Sequence, residues 1–118
     1  MLPAAFWIIA MPWELICFCL VLASVAIGCL LPAGYLPPLP NDKLLHFLAY
    51  FGLALLAAPI AGSWGHLVYW LAGLLLAGWL IEVLQSWVPG RSFCWRDFAA
   101  NAAGLAAAAC CAPLLTAI

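Results

Sequence analysis

Charged side chains are scarce in this sequence, which has three basic and four acidic residues among 118. In ordinary soluble domains roughly a quarter of the residues are charged, whereas here the charged fraction is 6 % and the apolar fraction is 70 %. A water-soluble globular fold is therefore excluded, and a bilayer must supply most of the surroundings. The shortage of Lys and Arg, with a net charge of −1, also excludes nucleic-acid binding through phosphate contacts, which needs clustered basic residues.

Two further patterns are missing: an arrangement of cysteines that implies disulfides or metal, and a basic leader. Five of the six cysteines lie inside apolar runs without metal-ligand spacing, where cysteine behaves as a small hydrophobic residue. Only Cys94 lies in a polar stretch, where thiolate chemistry or acylation is the alternative to a structural role. Residues 1–12 lack the positive segment of a cleavable signal peptide, so we expect them to be retained.

Four apolar runs, separated by short breaks that contain proline or glycine, make up most of the chain. Each run is close to the ~20 residues that a helix needs to cross the hydrocarbon of a bilayer, and the breaks end the helices. We therefore predict an all-α membrane protein, a single domain of four transmembrane helices in an up-down bundle. The predicted spans are residues 13–31, 43–61, 66–88 and 97–116.

Small residues recur four apart on two of these helices, which favours close helix contact. Ala100, Gly104 and Ala108 form such a stripe on the fourth span, and Gly73 and Ala77 form one on the third. We expect the stripes to support the bundle and to permit self-association into a homo-oligomer.

Two acidic or amide positions at helix starts have simple expected roles. Glu14 lies at the mouth of the first span, where we expect its carboxylate to face headgroups and water. Asn41 or Asp42 suits the N-cap of the second helix, because a short side-chain oxygen accepts a hydrogen bond from an otherwise unpaired amide.

The remaining polar residues are concentrated in two stretches, residues 41–50 and 79–104. In an up-down bundle the start of the second helix, the end of the third and the start of the fourth share one membrane face. Spacings of three and four place the polar residues of each helix on one side, so we predict a polar pocket inside the bundle, open to one leaflet. The candidate site residues are Asp42, Lys43, His46, Tyr50, Glu82, Gln85, Arg91, Arg96, Asp97 and Asn101.

Glu82 is the deepest ionisable residue of this set. It lies about two turns, of order 10 Å, before Pro89. An ionised carboxylate at that depth costs at least ~2.5 kcal/mol unless it faces a partner or a water-filled cavity. The predicted pocket would supply both.

Four spaced motifs resemble the VanZ-like family of small bacterial membrane proteins. They are D-K-x-x-H-x-x-x-Y at 42–50, I-E-x-x-Q at 81–85, P-G-R at 89–91 and D-x-x-x-N-x-x-G at 97–104. The family usually has a small hydroxylated residue before the last Asp, where this chain has Cys94, Trp95 and Arg96, and Ser92 is the alternative hydroxyl. The resemblance implies an envelope protein of the bacterial plasma membrane, with a link to low-level resistance to the glycopeptide teicoplanin and to envelope tolerance. It implies no particular biochemical activity.

The first hypothesis for the site is binding of an anionic lipid or lipid-linked headgroup. Arg91 and Arg96 can form paired hydrogen bonds to a phosphate, and Lys43 adds a point charge. Gln85 and Asn101 can bind hydroxyl or amide groups, and Asp42 and Tyr50 complete the ligand-binding set. Membrane lipids are then the expected partners.

Two alternatives use the same residues. In an intramembrane lipid hydrolase or transferase, His46 would be the general base or acid, with Glu82 or Asp97 orienting it. A divalent metal on these three residues is a variant, but His and carboxylates on three helices have no diagnostic spacing, so no metal ligand is assigned and no cofactor is indicated. The second alternative is a purely structural network that sets the register of the helices.

Overall fold

The computed structural model describes residues 12–32 and 42–116, with side chains described at 13–32 and 42–111. Within these residues the chain forms four helices: α1 (Pro12–Leu30), α2 (Asp42–Ala61), α3 (Trp64–Gln85) and α4 (Trp95–Thr116). The predictions made for residues 1–11, for most of the proline-rich loop and for an N-cap at Asn41 lie outside the described residues.

The all-helical prediction is confirmed for the described part of the chain, whereas the number of membrane spans is confirmed only in part. Three helices are long and apolar enough to cross a membrane, at Trp13–Leu30, Asp42–Ala61 and Trp64–Gln85. The helix α4, whose side chains are described only to residue 111, is not among them. A fourth span therefore stays a prediction.

The connection between α2 and α3 is a minimal turn. Gly62 has a φ of +79°, a left-handed conformation that strains any residue with a Cβ. Ser63 is the N-cap, because its Oγ accepts a hydrogen bond from the backbone N–H of His66 at 3.2 Å. This cap starts α3 at Trp64, two residues ahead of the predicted span.

The connection between α3 and α4 is longer and begins earlier than predicted. The backbone N–H of Ser86 is shared between the carbonyls of Glu82 and Val83, at 3.1 Å each, which loosens the helical ladder after Gln85. We predicted a helix to Val88, but the last residues before Pro89 form turns instead. Gly90, with a φ of +78°, completes the reversal.

The bundle is packed around α2. Its buried face comprises Tyr50, Leu53, Ala54, Ala57, Ala58 and Ala61. A Cβ at Gly104 would collide with the carbonyl oxygen of Phe47, so α4 and α2 are in backbone contact, as the predicted stripe on α4 requires. The stripe on α3 behaves differently, because Gly73 is exposed and a Cβ there would meet nothing within 4 Å.

Polarity on the outer surface is rare, as a lipid-facing exterior requires. The large apolar side chains that are exposed include Trp13, Leu20, Ile27, Tyr69, Leu76, Trp87 and Trp95. Glu14 is an exception to our expectation, since it is 6 % exposed and does not face water or headgroups. Its position in the first turn of α1 lies at the α2–α3 turn end of the bundle, away from the polar stretches.

Candidate functional site

The start of α2, the end of α3 and the start of α4 bring three ionisable side chains together. His46, Glu82 and Asp97 each offer one ligand atom, and these atoms all lie within 4.8 Å of one another. The helix-face argument from the sequence predicted this proximity. The roles of the residues are a separate question, which the contacts around each one address.

His46 is held by Asn101. Its ring Nδ1 lies 3.1 Å from Asn101 Oδ1, and because an amide oxygen only accepts, the ring nitrogen is the donor in this arrangement. The other ring nitrogen, Nε2, then faces Asp97 Oδ2 at 3.7 Å. Asn101 is itself buried, so the orientation of the imidazole is set from inside the bundle.

Asp97 lies in the first turn of α4, where the helix dipole favours a negative charge. Lys43 Nζ lies 3.2 Å from its Oδ1, close enough for an ion pair but not along a hydrogen-bonding direction. The same ammonium lies 3.1 Å from Asp42 Oδ1. Lys43 thus lies between the half-exposed carboxylate of Asp42 and the buried carboxylate of Asp97.

Glu82 is the most enclosed member of the site, with no exposed surface. The backbone N–H of Cys94 donates to its Oε2 at 3.1 Å. Its other oxygen, Oε1, is buried and has no hydrogen-bond partner among the described residues. Two ionised carboxylates with oxygens within 4.8 Å of each other repel by at least about 3 kcal/mol at an effective dielectric of about 20, so a cation or a proton between Glu82 and Asp97 is favoured.

Gln85 organises the turn that follows α3. Its Nε2 donates to the carbonyl of Ser92 at 2.8 Å, and its Oε1 accepts from Arg91 Nη2 at 3.0 Å. Arg91 Nη1 also donates to the carbonyl of Leu31 at 3.4 Å, which ties the turn to the end of α1. Ser92 takes part through its backbone, so the hydroxyl that we considered as a replacement for the family's residue is not the group used here.

A cavity of about 860 Å³ lies next to these residues. One wall is apolar and small, and α1 supplies it through Val21, Ser24, Val25, Gly28 and Cys29. The polar lining comes from Asp42, Lys43, His46, Gln85, Arg91, Ser92 and Asp97, with Cys94 beside them. All six cysteines are free, and Cys29 is buried in this wall.

Four predicted residues do not line the cavity: Tyr50, Glu82, Arg96 and Asn101. Arg96 is exposed and points away from it, so the guanidinium pair that we expected on one phosphate is not formed. Tyr50 and Asn101 lie deeper, behind His46. A Cβ at Gly78 would be 3.1 Å from both Tyr50 Oη and Asn101 Nδ2, which makes Gly78, and not Gly73, the glycine of α3 that permits close packing.

Two components of the site were missed at the sequence level. The Cys94 backbone amide has no sequence signal, because every residue except proline carries that donor. The α1 wall had a weak signal, since Val21, Val25 and Gly28 recur at three and four residues and so share one helix face.

The apolar helices and the buried polar residues between them define an α-helical membrane protein. The chain belongs to the VanZ-like family, since the family model described as VanZ/LLP1 matches residues 5–116, nearly its whole length. No curated protein and no solved structure matches the chain.

Proposed function

We propose that the cavity binds the phosphate-bearing headgroup of an anionic membrane lipid or lipid-linked molecule. The observation that carries the proposal is the unpaired charge of Arg91. Its guanidinium lines the cavity and makes no ion pair with a carboxylate among the described residues. Its neutral partners, the Gln85 amide and the Leu31 carbonyl, hold the guanidinium in place without cancelling its charge. A fixed, uncompensated guanidinium suits recognition of a phosphate.

The remaining walls suit an amphiphilic ligand. Lys43 also lines the cavity, where it is paired with Asp42 and Asp97, and Ser92 and Gln85 supply polar contacts. The α1 wall, with Val21 and Val25, is apolar and suits the start of an acyl or prenyl chain. The volume of about 860 Å³ falls in the range of about 300–1,000 Å³ that small-molecule sites occupy.

The test is lipid retention by the protein after gentle extraction, measured by native mass spectrometry. We expect the wild type to retain an anionic lipid. Arg91→Gln should retain at least tenfold less of this lipid, because the loss of a charge-assisted contact to phosphate costs about 1.5–3 kcal/mol. Arg96→Gln is the matched control, since it removes an exposed guanidinium of the same kind and should retain the lipid. Equal retention by wild type and Arg91→Gln would rule out this site.

A second candidate function is chemistry on the bound lipid, a hydrolase or transferase reaction at its phosphate or ester. The orientation of His46 favours it, because Asn101 holds one ring nitrogen while the other faces Asp97 at the cavity. In this case His46→Ala and Glu82→Gln abolish product formation from the retained lipid while the bundle stays folded. If the protein only binds, the lipid leaves the wild type chemically unchanged after prolonged incubation.

Family membership extends the proposal to the cell. We propose an integral protein of the bacterial plasma membrane that contributes to glycopeptide and envelope-stress tolerance through this lipid. The measurement is the teicoplanin sensitivity of a susceptible bacterial host that expresses the wild type, Arg91→Gln or Arg96→Gln at matched levels. Protection by the wild type and by Arg96→Gln alone supports the link, and protection by all three contradicts it.

A further inference from the structure

We infer that His46, Glu82 and Asp97 bind one divalent metal ion, at a position deeper than the proposed lipid contact at Arg91. The three side chains come from three helices and bring one nitrogen and two oxygen ligand atoms within 4.8 Å of one another. All three are buried or largely buried. The spacing along the chain gives no sign of such a site, because no two of these residues are neighbours on one helix.

The contacts of the three side chains follow a common pattern. Each has one atom beside a residue outside the group: His46 Nδ1 bonds to Asn101, Glu82 Oε2 accepts from the Cys94 amide, and Asp97 Oδ1 lies 3.2 Å from Lys43 Nζ. Outer contacts of this kind orient the ligands of metal sites, with the second histidine nitrogen bonded to a fixed acceptor. His46 Nε2 faces Asp97 Oδ2 at 3.7 Å, and Glu82 Oε1 and Asp97 Oδ1 are buried oxygens without a hydrogen-bond partner among the described residues.

Glu82 Oε1 is the independent observation that points to a ligand. It belongs to a side chain with no exposed surface and has no hydrogen-bond partner among the described residues. Buried polar atoms are rarely left unsatisfied in proteins. A cation between Glu82, Asp97 and the lone pair of His46 Nε2 satisfies this oxygen and offsets the repulsion between the two carboxylates.

The donor set indicates the class of metal. Imidazole with two carboxylates suits Zn²⁺, Mn²⁺ or Fe²⁺, whereas Ca²⁺ prefers a larger set made only of oxygens. Three protein ligands leave at least one coordination position open, which is typical of catalytic sites and not of structural zinc sites. Because His46 and Asp97 line the cavity, the open position is accessible to a phosphate or a water molecule there.

The experiment measures metal content without lipid chemistry. The purified protein is stripped with a chelator, reconstituted in nanodiscs of phosphatidylcholine, exposed to Zn²⁺ or Mn²⁺ and analysed by mass spectrometry of the elements and by titration calorimetry. We expect about one ion per wild-type chain, and at least a tenfold weaker affinity in His46→Ala and in Glu82→Gln. His66→Ala removes an exposed histidine outside the site and should leave the stoichiometry unchanged.

Glu82→Gln guards against a folding artefact, because it keeps the shape of the side chain and an acceptor for the Cys94 amide. Less than a tenth of an ion per wild-type chain would overturn the inference and would show that a proton or a water molecule satisfies Glu82 Oε1 instead. Unchanged metal affinity in a monodisperse Glu82→Gln protein would overturn it as well. Arg91→Gln separates this inference from the lipid proposal, since it should keep the metal while it loses the lipid. If the metal is absent and the lipid effect persists, only the metal site is wrong.

Discussion

The helix connections at the two ends of the bundle differ in length and in the number of polar residues near them. At one end, residues 62 and 63 join α2 to α3 with a left-handed glycine and a serine cap. At the other, residues 86–94 join α3 to α4, and their backbone bonds to Glu82 and Gln85. A short turn suffices for two antiparallel helices in this chain. The longer connection therefore has another use, which is to position Arg91 and to fix the buried carboxylate.

The largest expected effect comes from the helix contact beneath the polar end. Gly104→Ala places a methyl group against the carbonyl of Phe47, and because that atom belongs to the backbone, α2 and α4 must separate. We expect a loss of about 1–3 kcal/mol of unfolding free energy, with loss of metal and lipid binding, since His46 and Asn101 lie on the separated helices. Melting in detergent measures the first effect. Gly73→Ala, in open space, should change stability by less than about 0.5 kcal/mol.

The next effect concerns the orientation of His46. Asn101→Leu removes the acceptor of His46 Nδ1 and leaves a buried donor unpaired, so we expect about 1–3 kcal/mol of destabilisation and at least tenfold weaker metal binding. The comparison variant is Ser86→Ala, whose exposed hydroxyl donates to the carbonyl of Val83 and does not line the cavity. A stable Asn101→Leu protein with wild-type metal affinity would mean that the amide does not orient the imidazole.

A smaller effect is expected at the opposite end, where it separates stability from function. Ser63→Ala removes the side-chain acceptor for the His66 amide and should cost about 0.5–2 kcal/mol, as other N-cap losses do. Lipid and metal retention should not change, because the cap lies at the far end of α3. If Ser63→Ala weakened retention as much as Arg91→Gln, the two ends would not be independent.

The smallest expected effect concerns association between chains. Gly73 and Ala77 lie at exposed or half-exposed positions of α3, so the predicted small-residue contact is available to a second copy. We expect cross-linking in native membranes to yield a dimer that Gly73→Leu reduces severalfold without changing the melting temperature by more than a few degrees. Recovery of monomer alone from the wild type would exclude self-association through α3.

The polar end was predictable from the sequence to a large extent, for a physical reason. Polar residues are costly inside an apolar bundle, so His46, Glu82 and Asp97 had to share partners, and helix periodicity with alternating helix direction sufficed to bring them together. Arg96 was not predictable in this way, because it is adjacent to Asp97 and only the rotation of α4 decides which of the two faces inward.

Other features depend on helix rotation that an apolar sequence does not specify. α3 is apolar on nearly all sides, so nothing in its composition distinguishes Gly78, which packs against Tyr50, from Gly73, which is exposed. The burial of Glu14 was missed for a similar reason, since its place at a helix end suggested contact with water. A fourth span stays a prediction, because the described part of α4 is not among the helices that are long and apolar enough to cross a membrane.

The hydrogen bond from the Cys94 amide to Glu82 couples the interior to the exterior mechanically. Residue 94 is adjacent to Trp95, whose ring lies 4.7 Å from that of Phe93 and is mostly exposed. The donor of this hydrogen bond is thus one peptide unit away from the aromatic pair of Phe93 and Trp95. We therefore expect a ligand that moves the buried carboxylate to change the fluorescence of the Trp95 indole.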